Sequence, residues 1–555
     1  MELARGDFYF LRVINFGRIH GKAGDIAMKE FNTTGGCNPV DHYMVDISER
    51  LKEIKRMVDA GKYFCINRAR QYGKTTTMQA LADYLKEDYT VIALDFQNMD
   101  SAVYENSGTF TQGLARLFMD AHEFAEADIP ESILNDFHAM NQKSADIIFM
   151  DDIFRVFLRW CKASEKKIVL MIDEVDTASN NQVFLDFLAQ LRSGYLKRRT
   201  ISTFWSVILA GVTDVKHLKA KIRPEEAHKE NSPWNIAADF DIDMSLSEDG
   251  IRGMLEEYED DHHTGMDIGK IAEELRAYTG GYPYLVSRIC QHMDGPLTEK
   301  MGCSDAWTIQ GIDEAVKLIL ADGNDTLFGS IMGKLVNIPQ LKKQLRDILM
   351  KGDVVAWRPD DEEQKMLFMY GFIVNEHNTV KIANRLFEMR LYQYFLSDSQ
   401  RNEAFRSDAL LNKSIFINDD HTLNMPLILE HFVETQKRVH GDADDAFLEE
   451  EGRERFLTYI APIINGTGTY SVEEQTRDKL RTDVVIHYLG QRYVVELKIW
   501  RGPRYNAAGE KQIREYLDYF GLNTGYMVSF NFNKKKERGV KRVNIGDKVL
   551  FEATV

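Results

Sequence analysis

A strand, a glycine-containing turn and a helix follow one another near residue 70, and this succession constrains the fold more than any other feature of the chain. The apolar run Tyr63–Asn67 is typical of a buried strand, and Thr75–Lys86 is typical of a helix. Such a turn binds phosphate when backbone N–H groups wrap the oxygens, a lysine reaches the terminal phosphates and a hydroxyl binds Mg²⁺. Gly73–Thr75 supplies the glycine, the lysine and the hydroxyl, whereas Arg68 stands where the usual pattern has its first glycine. The sequence therefore predicts a phosphate-binding loop.

A second apolar strand, which ends in two carboxylates, supports the same interpretation. Asp173 closes the run Ile168–Asp173, and Glu174 follows it. An aspartate here can hold Mg²⁺ through water, while the adjacent glutamate can orient and polarise an attacking water. The two motifs predict a chain that binds a nucleotide and Mg²⁺, with Glu174 as a catalytic residue. The candidate nucleotide-binding residues are Arg70, Gln71, Tyr72, Gly73, Lys74, Thr75, Thr76 and Asp173, of which Thr75 and Asp173 also serve the metal.

The arrangement of the remaining apolar runs indicates the fold class. Two further strands are predicted at Val91–Phe96 and Phe204–Ala210, and helical patterns separate all four strands. Strands that alternate with helices form parallel sheets, so we expect an α/β fold. With 555 residues, the chain is long enough for several domains. Its five cysteines are scattered and form no CxxC pair, which favours a reducing, cytoplasmic location, and no run is long enough for a membrane span.

Charge is distributed unevenly along the chain. The net charge is −17, yet the segment Lys479–Lys548 contains 15 Lys and Arg against 7 Asp and Glu. The preceding segment, Gly441–Glu454, contains seven carboxylates and one arginine. Net charge describes solubility, whereas a local basic face can still meet phosphate. We therefore expect the basic C-terminal region to contact nucleic acid, most simply DNA, although a solvated charged surface would look the same.

A second group of chemically active residues lies in this basic region. Asp483 and Glu496 are 13 residues apart on two adjacent strand-like runs, and Lys498 follows Glu496 at a spacing that puts both on one face. A hairpin can bring Asp483 beside them. Two carboxylates can then hold Mg²⁺ while the lysine positions or deprotonates a water that attacks phosphorus. The pattern is short, and a surface hairpin can produce it by chance.

The N-terminal two thirds of the chain resembles a known family. Between roughly residues 28 and 400 it is similar to the AAA-like ATPases of bacterial and archaeal genomes, which are related to the signal-transducing (STAND) branch of P-loop NTPases. The resemblance implies that Thr213 ends the strand of the nucleotide sensor, that Gly281–Pro283 lies in a helical lid, and that an arginine acts in trans. The matching segments are Asn32–Pro39, Tyr63–Phe64, Arg70–Thr76, Val207–Val212, Ser232–Ala237 and Gly280–Leu285, and the candidate arginines are Arg192, Arg198 and Arg199.

Residues 441–555 resemble another family. The Asp483 and Glu496-x-Lys498 pattern is that of the PD-(D/E)XK phosphodiesterases, and Gln512 with Tyr516 resembles the QxxxY motif of their RecB-like branch. The resemblance implies a metal site at Asp483 and Glu496 with Gln512 and Tyr516 on a helix beside it. The superfamily often adds a helix glutamate, for which Glu454 is preferred to Glu451. A degenerate copy of the fold that does not cleave is the alternative.

These inferences combine into one functional hypothesis. We expect an ATPase with a Mg²⁺-dependent phosphodiesterase domain, in which Asp483, Glu496 and Lys498 are catalytic and ATP gates the cleavage of DNA. The alternative is a nucleotide-switched, STAND-like sensor or DNA-binding protein whose nuclease-like domain only binds. Either function is compatible with a homo-oligomer. We expect no membrane partner in either case. The expected divisions are an N-terminal extension (1–27), the P-loop ATPase core (28–244), a helical lid (245–320), a winged-helix-like module (321–400), a connector (401–440) and an α/β PD-(D/E)XK nuclease-like domain (441–555).

Overall fold

The first part of the chain forms a parallel sheet whose strands are buried on both faces. The computed structural model describes residues 28–212, 234–351, 355–397, 403–440, 449–465, 467–475, 481–500, 503–533 and 536–555. The predicted N-terminal extension (1–27) and Thr213 lie outside these residues. The sheet has the order β1-β4-β3-β2, and every pair in it is parallel. Its strands are Tyr63–Asn67 (β1), Thr90–Asp95 (β2), Ile168–Asp173 (β3) and Ser206–Gly211 (β4). The predicted α/β class with a parallel sheet is confirmed.

The open edge of β1 is covered by a later segment of the chain. Ala238 forms a parallel bridge with Phe64, and its backbone N–H donates to the carbonyl oxygen of Tyr63 at 2.8 Å. The ring of Phe240 stacks on Phe64 with 5.9 Å between the centroids. This segment protects an edge that would otherwise expose unpaired backbone groups.

Helices cover both faces of the sheet. Three of them lie between β2 and β3, where their phenylalanine-rich faces form one hydrophobic core with the sheet. A smaller core on the other face includes residues of the first two helices. The helices of this part are Ser48–Asp59 (α1), Lys74–Leu85 (α2), Ser107–Ala125 (α3), Glu131–Asn141 (α4), Met150–Ala163 (α5) and Gln182–Lys197 (α6).

A helical region follows the sheet. One buried aromatic cluster, around Tyr258 and Trp307, joins its helices to the segment that carries Phe31 and Tyr43. The helices are Glu248–His262 (α7), Ile268–Thr279 (α8), Pro283–His292 (α9), Thr298–Met301 (α10), Cys303–Ala306 (α11) and Ile309–Ala321 (α12), with a π-helical turn at Met293–Leu297.

Four helices and a hairpin come next. The hairpin turns at His377 and Asn378, which both have positive φ. The elements are the helices Thr326–Asn337 (α13), Pro339–Lys351 (α14) and Glu362–Met369 (α15), the strands Ile373–Glu376 (β5) and Thr379–Ile382 (β6), and the helix Arg385–Ser397 (α16).

The C-terminal part contains a six-stranded mixed sheet in the order β11-β12-β10-β9-β8-β7. Its first three strands form an antiparallel meander, and a crossover helix then leads to a strand parallel to β9. The strands are Gly468–Gln475 (β7), Arg481–Tyr488 (β8), Gln491–Ile499 (β9), Thr524–Phe530 (β10), Gly539–Ile545 (β11) and Lys548–Thr554 (β12). The helices are Glu403–Asn412 (α17), Met425–His440 (α18), Glu449–Ile464 (α19) and the crossover helix Pro503–Tyr519 (α20).

Different helices cover the two faces of this sheet. Ile513, Tyr516 and Leu517 of α20 pack on one face against Val485 and Met527. The other face packs against α18 and α19, which share its hydrophobic cluster. The segment expected as a connector (401–440) thus contains two helices, and α18 belongs to the core of the C-terminal sheet. Among the described residues, no helix combines the length and the apolar character that crossing a bilayer requires.

Candidate functional site

The predicted phosphate-binding loop joins β1 to α2 with an unusual backbone. Gln71 and Gly73 have φ of +57° and +77°, in the left-handed region. Such a conformation lets successive N–H groups point to one side, and the N-terminus of α2 adds its positive dipole there. Thr76 lies one turn further along and accepts the N–H of Cys37 at 3.0 Å, so the segment that precedes α1 crosses the start of α2.

Lys74 is held inside the loop. Its side chain is buried, and its Nζ donates to the carbonyl oxygens of Arg68 and Ala69 at 3.1 and 3.0 Å. Burial lowers the pKa of Lys74, while the carboxylates of Glu174, Asp176 and Asp173 oppose that shift. The ammonium group thus lies within the loop that would enclose the phosphates.

Arg68, at the position of the first glycine of the usual motif, points away from the loop. Its guanidinium donates to the carbonyl oxygen of Ile242 at 2.8 Å and lies over the ring of Phe240, 5.3 Å from the centroid. The side chain therefore anchors the start of the loop to the segment that covers the edge of β1. A glycine is not needed here because the arginine side chain leaves the phosphate side of the loop.

Thr75 and Asp173 meet at the carboxyl ends of β1 and β3. Thr75 donates a hydrogen bond from Oγ1 to Oδ2 of Asp173 at 2.9 Å, and Asp173 is buried. A hydroxyl beside a buried carboxylate is a donor set that suits Mg²⁺ with bound water and phosphate oxygens. The structure therefore brings together the two residues that the sequence assigns to the metal, and they fit it.

Glu174 follows Asp173 in a strained turn. It has φ of +52°, and its N–H donates to Oδ1 of Asp173 at 2.9 Å. Burial raises the pKa of Glu174, and the carboxylates of Asp173, Asp176 and Asp95 raise it further, whereas Lys74 lowers it. A raised pKa is typical of a carboxylate that exchanges protons with a water.

Two acidic residues beside this turn escape the sequence analysis. Asp95 ends β2 in register with Asp173, and burial raises its pKa. Asp176 accepts the N–H of Val212 at 2.6 Å through Oδ2, and so ties the turn to the end of β4. The only sequence signal for these residues is their position at or just after the end of a predicted strand. That signal does not show which of them lie together until the order of the strands in the sheet is known.

Residues of the helical region also contact the phosphate-binding loop. Tyr282 donates its hydroxyl to the carbonyl oxygen of Arg70, and its ring meets Tyr72 edge to face at 4.6 Å. Pro283 is next to Gly73, since a Cβ at Gly73 would lie 3.7 Å from it. Gln71 also donates to Thr326 at 3.0 Å, so the loop touches α13 as well.

The three arginines considered for action in trans have different surroundings. Arg198 donates to the carbonyl oxygen of Gly61 at 2.6 Å and lies over the ring of Tyr195, which gives it a structural contact within the chain. Arg199 is exposed and Arg192 is half-buried. The assignment of one of them to a neighbouring subunit stays a prediction.

The second group of predicted residues converges on one face of the C-terminal sheet. A two-residue turn at Leu489 and Gly490, both with positive φ, joins β8 to β9 and fixes their register. Val484 pairs with Val495 in this register, and its continuation places Asp483 opposite Glu496. The two carboxylates therefore share one face, on which α20 packs.

Each carboxylate of this site has a cationic partner. Glu496 is fully buried, and its Oε1 is 2.8 Å from Nζ of Lys498. Asp483 is also buried; its Oδ2 accepts the N–H of Leu497 at 2.7 Å, and its Oδ1 is 3.6 Å from Nη2 of Arg453. Two carboxylates on one face are suitable ligands for Mg²⁺, but the described residues contain no cluster of three or more acidic, histidine or cysteine side chains that could hold a metal.

The remaining members of the motif lie around this pair. Tyr516 is fully buried; burial raises its pKa, the nearby Glu496 and Asp483 raise it further, and a hydrogen bond with Gln512 lowers it. Glu454, the candidate helix ligand, has its Oε1 3.7 Å from Nη2 of Arg346 on α14. Its neighbour Arg453 is the residue of α19 that reaches Asp483, and it is not among the residues predicted from the sequence. The one signal for it is that it is the single arginine of an acidic run.

The geometry of the first site defines a class of protein: a phosphate loop, a hydroxyl–aspartate pair and a glutamate at the carboxyl ends of a parallel sheet form a P-loop nucleotide-binding site. A family model for the AAA-like domain matches residues 42–397. The chain therefore belongs to the AAA-like domain family and has a P-loop ATPase domain.

Several solved structures are similar to this chain at low identity. The Walker-type ATPase of Pyrococcus abyssi is 15% identical, with 65% of this chain and 99% of that chain covered and a TM-score of 0.45. Cdc6p of Pyrobaculum aerophilum is 12% identical, with 63% and 94% covered and a TM-score of 0.31. RuvB of Thermotoga maritima, a Holliday junction branch migration motor, is 12% identical, with 61% and 92% covered and a TM-score of 0.30. No curated protein matches the chain.

Proposed function

We propose that this protein binds and hydrolyses ATP and that its C-terminal domain is a Mg²⁺-dependent phosphodiesterase that cleaves DNA under the control of ATP. The observation that carries the nuclease part is the register of β8 and β9, which puts Asp483 opposite Glu496 with Lys498 beside it. The order of α19, three antiparallel strands, α20 and a parallel strand supports a PD-(D/E)XK fold for this part.

In the ATPase site, each residue has a distinct task. Lys74 and the N–H groups of Arg70–Thr75 bind the phosphates, and Thr75 and Asp173 hold Mg²⁺, which neutralises charge on the phosphate oxygens when bound. Glu174 orients the attacking water and accepts its proton. The raised pKa of Glu174 and its place beside Asp173 support this role.

In the nuclease site, Asp483 and Glu496 hold Mg²⁺, which activates water and polarises the scissile phosphate when bound. Lys498 positions that water and stabilises negative charge on the phosphate. Gln512 and Tyr516 line the same face from α20 and restrict how the substrate approaches. The basic residues of the C-terminal segment contact the nucleic acid backbone, so we expect binding to weaken steeply as salt is raised.

The control by ATP is supported by contacts of the helical region, which acts as a lid. Tyr282 of this region contacts the phosphate loop, and Arg385 at the start of α16 reaches the C-terminal sheet. Arg385 donates to Nε2 of His487 at 2.8 Å, while its guanidinium lies over the ring of Tyr278 on α8. We propose that nucleotide moves the lid and that α13–α16, as a winged-helix-like module, transmits the change. We also propose a cytoplasmic location, and a homo-oligomer is compatible with this function.

The deciding experiment is cleavage of linear and circular DNA by the purified protein with Mg²⁺, with and without ATP. Lys498→Ala should abolish cleavage, whereas Lys511→Ala, which removes an exposed lysine on α20, should preserve it. Lys74→Ala should abolish ATP binding and remove the effect of ATP on cleavage. Cleavage that survives in Lys498→Ala would show that the chemistry has been assigned to the wrong residues.

One observation favours a second function, a nucleotide-switched sensor or DNA-binding protein. Both carboxylates of the C-terminal site are paired with cations, as in a site that only binds. That function predicts that Lys498→Ala changes nothing measurable while Lys74→Ala abolishes assembly.

A further inference from the structure

Arg453 is the feature of the C-terminal site that the proposed roles leave unexplained. It is buried, with 5% of its surface exposed, although it belongs to an otherwise acidic run. A buried guanidinium is retained only where charged or polar partners compensate for its lost hydration. One partner is Oδ1 of Asp483, 3.6 Å from Nη2. Since the other oxygen of Asp483 accepts the N–H of Leu497, both oxygens of this carboxylate are engaged.

The charges of the site cancel. Asp483 and Glu496 contribute two negative charges, and Arg453 and Lys498 contribute two positive ones. A divalent cation that enters this arrangement gains little attraction and is repelled by the guanidinium beside Asp483. Metal binding is therefore favourable only if one of the two cations moves away from its carboxylate.

Helix α19 contributes a cation to the site where a carboxylate is expected. Glu454 is directed to Arg346, and the next residue towards the N-terminus, Arg453, reaches Asp483. The planar guanidinium of an arginine matches the two oxygens of a phosphodiester as well as it matches a carboxylate. A substrate phosphate can thus take the place of Asp483 as the partner of Arg453.

We infer that Arg453 is a positioning residue that makes the binding of Mg²⁺ and of the phosphodiester cooperative. It holds Asp483 when the site contains no substrate, and it transfers to the phosphate when substrate arrives, which releases Asp483 to the metal. Reciprocity requires that the metal raise the affinity for the phosphodiester by the same factor. This inference rests on the proposed nuclease function.

The test measures binding of Mn²⁺, as a probe for Mg²⁺, by electron paramagnetic resonance of the full chain without nucleotide. It uses cleavage-resistant phosphorothioate oligonucleotides, single-stranded and duplex, as the phosphodiester. The Mn²⁺ site that is present in the wild type and absent in Asp483→Asn is the C-terminal metal site. In the wild type, oligonucleotide should strengthen Mn²⁺ binding at this site at least fivefold. Arg453→Gln should bind Mn²⁺ at least fivefold more tightly than the wild type without oligonucleotide and should lose the gain that oligonucleotide gives.

Two further variants control for damage to the fold. Arg455→Gln removes another largely buried arginine of α19, one whose partner is Glu451, and should behave as the wild type. Arg453→Lys preserves the charge but cannot donate two parallel hydrogen bonds to the oxygens of a phosphodiester. It should keep weak Mn²⁺ binding and lose at least two thirds of the increase in Mn²⁺ affinity that oligonucleotide gives. If Asp483→Asn removes no Mn²⁺ site in any state, the proposed metal-dependent function fails. If that site exists but neither Arg453 variant changes its affinity or its response to oligonucleotide, the inference about Arg453 is overturned and the proposed function stands.

Discussion

The hydroxyl of Tyr282 offers a direct test of how the helical region supports the phosphate loop. This tyrosine is almost fully buried and donates its hydroxyl to the carbonyl oxygen of Arg70. In Tyr282→Phe the ring remains and keeps its contacts with Tyr72 and Phe387, so only the hydrogen bond is lost. A neutral hydrogen bond contributes about 0.5–1.5 kcal/mol, and we expect the loss to lie in that range. We expect the affinity for ATP to fall about 2- to 10-fold.

The assay is a titration with a fluorescent ATP analogue, together with urea unfolding of each variant. Tyr258→Phe is the matched control because Tyr258 is equally buried and donates to Asp294 at 2.5 Å, away from the loop. Both variants should lose stability, but only Tyr282→Phe should lose affinity. Equal affinities in Tyr282→Phe and the wild type, with stability lowered in both variants, would refute the reasoning that this bond holds the loop in its binding conformation.

Three further predictions follow from other parts of the molecule. Burial raises the pKa of Glu174 above its ordinary value of 4.5, so the rate of ATP hydrolysis should fall on the acidic side with a midpoint above pH 4.5. A pH–rate profile with a midpoint at or below that value would contradict the role of Glu174 as a base. Gly281→Ala adds a Cβ that would clash with the carbonyl oxygen of Leu246, at a residue with φ of +74°. Urea titration should show a free energy of unfolding lowered by about 2–4 kcal/mol. Gly265→Ala is the control: it has φ of +77° but open space around it, and it should lower the free energy of unfolding by about 1 kcal/mol. Burial would raise the pKa of Asp408, but hydrogen bonds from Arg438, Thr435 and Tyr459 outweigh burial and lower it. The ionised Asp408 therefore stabilises the fold above pH 4, and this stabilisation is lost as the pH falls through the native pKa. The difference in unfolding free energy between the wild type and Asp408→Asn should accordingly shrink between pH 7 and pH 3.

Local sequence signals were sufficient for the strands and for the loop between β1 and α2. The four predicted strands of the parallel sheet match the observed ones to within two residues, because each is an apolar run with polar residues at its ends. The hairpin of β8 and β9 was also accessible, since a two-residue turn pairs strands that are adjacent in the sequence. In each case the partners that define the element are close along the chain.

Contacts between distant segments could not be predicted in the same way. Asp95 lies in register with Asp173 only because β2 is the neighbour of β3 in the sheet, and no local pattern encodes that order. Arg453 reaches Asp483 from a helix 30 residues earlier, and a single arginine in an acidic run is as typical of a solvated surface. The sequence also gave no reason to expect Arg68 to turn away from the loop, since that depends on Ile242 and Phe240.

The polar cluster between the helical region and the C-terminal sheet limits the strength of the proposed control by ATP. Beside Arg385 and His487, the cluster contains Asp313, whose Oδ1 accepts the hydroxyl of Tyr278 at 2.7 Å, and Glu274, whose Oε1 is 3.7 Å from Nη2 of Arg492 on β9. Because arginine only donates, Nε2 of His487 must accept, and Nδ1 then carries its proton towards Asp313, 3.9 Å away. In the proposed mechanism, a movement of the helical region that weakens one or two of these bonds would change the relative energy of the two states by about 1–3 kcal/mol, which corresponds to about a 5- to 150-fold effect. If the proposed control is correct, ATP should modulate cleavage by one to two orders of magnitude. His487→Ala should reduce that modulation without changing ATP affinity, because His487 lies on β8 and its partners Arg385 and Asp313 are outside the phosphate-binding loop.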